Sequence, residues 1–174
     1  MVRLLTFAHR SAVVQLAGGA LLAAIEAGIF GLALLMMIVS AGEVALYPGA
    51  AEAIVENFLF LWVMFAVTLP FALMVALIVL WPTAAISGGL LLLGAAQDRR
   101  FAATSLWIAT GAAVGIGYGW LFFVEGLPRF DIVEGPLAPV AALAWTGASG
   151  GFAGWRLRRK LGRAGRFGAP VAVG

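Results

Sequence analysis

Between Glu56 and Asp98 the chain carries no charged residue. A helix crosses the hydrocarbon core of a bilayer with about 20 apolar residues. This uncharged run of about 40 residues is therefore twice what one crossing needs, and a soluble fold of 174 residues has no core large enough to hide it. The rest of the chain agrees. Hydrophobic residues make up 63% and charged residues 11%, against roughly 25% charged in soluble domains, and the mean hydropathy is +1.06. The sequence reads as an all-α integral membrane protein.

Hydropathy divides residues 1–174 into a single transmembrane domain with four apolar stretches, at about 11–39, 50–80, 101–124 and 136–155. Each can span, the first with tilt or extension into the headgroups. The expectation is a four-helix bundle. Pro82 should stop or kink the second helix, and Gly88–Gly89 weakens any continuation. Residues 83–96 then form a short extra helix between spans two and three, interfacial or re-entrant. Pro70 should kink span two, with Thr68 sharing the freed carbonyls.

The connections differ in sign. Glu43, Glu52 and Glu56 follow the first span without a base, and Glu125, Asp131 and Glu134 outweigh Arg129 between spans three and four. Arg3, Arg10, Arg99 and Arg100 lie on the other side, with a basic tail over 156–174. Placing both termini in the cytoplasm puts ten of the eleven basic residues inside, which the positive-inside rule favours and which requires an even number of spans. A further span at 81–97 would break this pattern. The first stretch is too long for a secretory leader and reads as an uncleaved span. Ten Arg to one Lys, in a chain rich in Ala and Gly, fits a GC-rich bacterial genome. The expected location is the bacterial inner membrane.

Composition also narrows function. The net charge is only +3 and the bases are not interleaved with aromatics, so nucleic acid is not the expected partner. The chain has no cysteine, and its one histidine is His9. Thiolate metal sites, cysteine nucleophiles and histidine-ligated haem within the spans are excluded, and no cofactor or metal is expected. The spans contain no HExxH, no GxSxG and no Ser/His pair, so the chain does not read as an enzyme.

Small residues recur at helical spacing. Gly19, Ala23, Ala27 and Gly31 line one face of span one, Gly111 and Gly115 one face of span three, and Gly147 and Gly151 one face of span four. In lipid such ridges bring helices together by close backbone contact. They serve packing within the bundle or dock a membrane-protein partner or a second copy. Trp62 and Trp120 mark the outer border and Trp81 and Trp155 the inner one, while Trp145 reads as a packing residue.

Glu26 stands at the centre of the first stretch. A charge there costs about 2.5–3.5 kcal/mol on insertion scales, and desolvation favours the uncharged acid. With no base inside any of the four stretches, the sequence predicts that Glu26 is protonated at neutral pH or faces a watery cavity. Ser11, Gln15 and Glu26 share one helical face, within about 60°. Thr68, Thr104, Thr110, Tyr118, Thr146 and Ser149 are the candidate partners on other helices, with Tyr118 sharing a face of span three with Thr104 and Gly111. The candidate polar or proton site is therefore Glu26, Gln15 and Tyr118. In the tail, Arg156, Arg158, Arg159 and Lys160 are expected to contact anionic lipid, each worth about 1 kcal/mol near the leaflet.

Two resemblances follow. "LPFALMVALIVLWP" in span two and "GASGGFAGWRLRR" at the end of span four resemble four-span bacterial inner-membrane proteins grouped as domains of unknown function, which implies architecture and no chemistry. "LAGGALLAAIEAG", with an acid midway along the first span, is similar to small multidrug-resistance transporters. That similarity implies proton exchange for cationic drugs at Glu26. Two functions are thus expected: a non-enzymatic membrane protein, structural or accessory to a complex, or a small proton-coupled transporter or permeation unit using Glu26.

Overall fold

The structure, a computed structural model, describes the backbone of residues 2–46, 51–125 and 138–167, and side chains over 12–38, 60, 62–122 and 139–167. It is helical nearly throughout, with no strand among the described residues. Helix α1 runs Val2–Leu46 and α2 runs Ala51–Val75. A π-helical turn at Ala76–Leu80 joins α2 to α3, Trp81–Gln97. A 3-10 turn, Arg99–Ala102, leads to α4, Thr104–Gly119, which ends in a second π turn, Trp120–Glu125. Helix α5 runs Ala138–Arg163.

Pro82 does not break the chain's helical path. A proline removes one backbone donor and crowds the preceding turn. Here the turn before it widens: the Trp81 N–H reaches the Ala76 carbonyl, five residues back, and Pro82 enters α3 in its first turn. Residues 81–97 are thus a helix continuous with α2, where the sequence suggested a separate short segment. Pro70 likewise sits inside α2. Thr68 donates to the Met64 carbonyl at 2.6 Å, not to the carbonyl that Pro70 frees.

Among the described residues, three helices are long and apolar enough to cross a membrane: Ala12–Ile38, Trp62–Gln97 and Thr104–Phe122. The fourth expected crossing, on α5, is less apolar because glycines, Thr146, Ser149 and two tryptophans dilute its upper part. Helix α5 also continues eight residues past Trp155, through the first part of the basic tail.

Consecutive helical runs pack antiparallel. Leu16 of α1 meets Gly88 and Gly89 of α3, while Gly28 meets Ala76 and the Ala72 carbonyl. Gly19 lies against Leu157 of α5, and Gly31 against Ser149 and Trp145. Helices α4 and α5 are the closest pair. A methyl group at Gly111 would collide with the Gly150 backbone, one at Gly115 with the Thr146 carbonyl, and one at Gly154 with the Trp107 carbonyl. Backbones this near exclude any Cβ, which is why small residues stand there. The tightest α5 ridge is Thr146, Gly150 and Gly154. Gly147 and Gly151 lie beside it, against Ile116 and Ile108.

The buried cluster is small and sits toward the basic end: Ala20, Ala23, Leu91, Trp107, Leu157 and Leu161, with Phe167 packed on it. Elsewhere the surface is apolar, with Phe71, Ile78, Leu90 and Leu93 each about two-thirds exposed. In water such a surface would aggregate; hydrocarbon solvates it.

Candidate functional site

The continuation of α5 past Trp155 determines what surrounds Glu26. Phe152, Arg156 and Lys160 are four residues apart and therefore share one face of α5. That face lies on α1. Trp145 donates its indole N–H to the Gly31 carbonyl at 2.6 Å. Phe152 stacks on Phe30 with ring centroids 4.5 Å apart. At the next turn Arg156 meets Glu26.

The contact is bidentate. Arg156 Nε donates to Glu26 Oε2 at 2.5 Å, and Nη2 donates to Oε1 at 2.7 Å. Lys160 Nζ donates to the same Oε1 at 2.9 Å. All three side chains are half-buried, between 23% and 29% exposed. Charge-assisted bonds of this geometry are the stronger class of hydrogen bond. Both carboxylate oxygens are occupied, and the trio carries one net positive charge.

This corrects the expectation of an acid without a cation. Hydropathy ends span four at Trp155 and so makes Arg156 and Lys160 tail residues facing lipid. Helical register instead turns both toward α1. The available signal was the spacing of Phe152, Arg156 and Lys160, which a hydropathy window does not register.

The other two members of the polar site lie apart from Glu26. Gln15 Oε1 accepts from Arg166 Nε at 2.7 Å, beyond the end of α5. Tyr118 Oη lies 3.1 Å from Thr83 Oγ1 on α3. Thr146 and Ser149 donate to the carbonyls of Ala142 and Trp145, each 2.9 Å away within their own helix. Of the tail bases, Arg158 donates to the Ala102 carbonyl at 3.1 Å and covers the Phe167 ring. Arg159 is exposed, and its guanidinium lies 5.5 Å from the centre of the Trp155 ring. Arg156 also approaches that ring, at 5.6 Å.

The ridge residues all fall at helix contacts. Ala23 and Ala27 are buried, between Gly19 and Gly31 on the side of α1 that meets α5. Ser11 and the acids Glu43, Glu52, Glu56, Glu125, Asp131 and Glu134 lie outside the described side chains. Among the described residues no group of three or more His, Asp or Glu is gathered that could hold a metal. Comparison with protein-family models, curated proteins and solved structures returned no match to this chain.

Proposed function

We propose that the chain is a non-enzymatic integral membrane protein of the bacterial inner membrane, structural in itself or accessory to a membrane complex. It crosses the bilayer four times with both termini in the cytoplasm, and Glu26 is a clasp between the first and last crossings. The observation that carries this reading is the Glu26–Arg156–Lys160 contact. A proton carrier needs a carboxyl that alternates between free and bound states. A carboxylate held by three donors from one helix instead fixes the register of two helices, the best-attested use of such pairs. The glycine contacts between α4 and α5 support the same reading, since they spend two small-residue ridges inside the molecule.

Affinity purification of the tagged chain in a mild detergent, with mass measurement of the intact assembly, tests the accessory role. A defined partner or a stable homo-oligomer is expected, and a lone monomer would overturn that part. Reconstituted vesicles test the clasp. Proton flux should be the same for the parent chain and Glu26→Gln, and a flux that the substitution abolishes would restore the transporter reading.

A further inference from the structure

The α2–α3 run meets α4 and α5 through α3 and not along α2. Helix α2 packs on α1, α4 packs on α5, and no comparable contact joins α2 to α4 or α5. Between them lies a cavity of about 470 Å³. Its floor is the small-residue face of α1 around Gly28, and its walls include Val75, Val79, Val114 and Gly150. Val75 and Phe122 line it yet stay 52% and 38% exposed. They mark a lateral mouth between α2 and the π turn that follows α4.

Water is a poor occupant. A space this large would take roughly fifteen molecules, each needing two to four polar partners. The wall is apolar, and its hydroxyls are mostly committed. Ser87, Thr146 and Ser149 donate to carbonyls one turn back on their own helices. Thr110 is the one lining hydroxyl with no hydrogen bond among the described residues.

Tyr118 provides a directional group. The single hydroxyl hydrogen of Thr83 goes to the Val79 carbonyl. In the 3.1 Å contact between Tyr118 Oη and Thr83 Oγ1, Tyr118 is therefore the donor. Its oxygen keeps acceptor capacity on the cavity side. No charged residue lines the cavity, so a headgroup that enters must be neutral.

We propose that this cavity binds a neutral single-chain lipid through its mouth, with the lipid's hydroxyl donating to Tyr118. Size and lining match those of small-molecule sites, which are mostly apolar with a few placed polar groups. The inference rests on the membrane reading and is independent of the Glu26 clasp.

Trp107 and Trp145 line the cavity. The full chain, with Trp62, Trp81, Trp120 and Trp155 replaced by Phe, is reconstituted in phosphatidylcholine vesicles. Tryptophan fluorescence is then titrated with a monoacylglycerol, a fatty acid or a phosphatidylcholine, each brominated on the chain. Saturable quenching is expected from the monoacylglycerol alone. Val114→Phe should abolish the saturable part, and Tyr118→Phe should raise the half-saturating fraction about three- to tenfold, the loss of one hydrogen bond. Quenching that rises linearly and equally for all three lipids would overturn the proposal, as would a curve unmoved by Val114→Phe. Flotation of the same vesicles reports insertion separately, so a failure of the membrane reading is distinguished. Should the multiple replacement misfold, lipid extracted from the detergent-purified parent chain gives a second readout. About one neutral single-chain lipid per chain is expected, and none from Val114→Phe; equal amounts from both would overturn the assignment.

Discussion

Arg156 grips Glu26 from 130 residues away in the chain, through both Nε and Nη2. The bond joins the first helix to the last. Lys160 adds a third donor one turn further along α5. The α1–α5 contact thereby combines an ion cluster, a stacked aromatic pair and an indole-to-carbonyl bond along one face of each helix.

Removing the acid leaves two cations facing an apolar helix. Glu26→Gln should lower the thermal unfolding midpoint in detergent by about 2–6 °C. Exchanging the charges, Glu26→Arg with Arg156→Glu, should recover part of the loss. Thermal scans of the parent, both single variants and the double variant give the coupling directly. Additive losses with no recovery would remove the clasp from the α1–α5 interface.

Glycine position separates contact from tolerance on one helix. Gly111→Ala drives a methyl into the Gly150 backbone and should destabilise by about 1–3 kcal/mol. Gly117 is six residues along the same helix, and a methyl group there would meet nothing within 4 Å. Gly117→Ala should be neutral or stabilise by up to about 1 kcal/mol, from helix propensity alone. Denaturation curves in the same micelle compare the two.

Trp145→Phe keeps a ring at the α1–α5 contact and deletes the N–H that reaches Gly31. An expected loss of about 0.5–1.5 kcal/mol corresponds to one hydrogen bond. Trp62→Phe, on an exposed ring, should cost less in the same unfolding assay.

The absence of cysteine makes the chain its own background for topology. Single substitutions Arg100→Cys and Arg163→Cys should label only after the cytoplasmic face is opened to a membrane-impermeant maleimide. Glu43→Cys should label from the opposite face. Labelling of Arg100→Cys and Arg163→Cys from different sides would mean an odd number of crossings between them, and the four-span reading would fall.

Much of the architecture is a local property and was legible. The uncharged run from Asn57 to Gln97 requires hydrocarbon whatever its neighbours do, and among the described residues three helices are long and apolar enough to cross a membrane. Two boundaries were not legible. Pro82 suggests a stop or a kink, and the helix continues through it by a single widened turn, because a helix already held along α1 tolerates one missing donor. Trp155 suggests an end, yet α5 runs on to Arg163, because arginine, leucine and lysine are good helix formers and hydropathy is blind to propensity.

The sequence by itself determined that helices apolar enough to cross a membrane dominate the described chain, and that one acid stands within the first of them. Those depend on residue type and short-range spacing. Only the tertiary structure decided what the acid touches. Whether Glu26 stays alone or meets cations depends on the relative register of two helices far apart in the chain. Gly19 on Leu157, Phe30 on Phe152 and Gly31 beneath Trp145 hold the same register as the ion cluster, contacts that no reading along the chain alone can align.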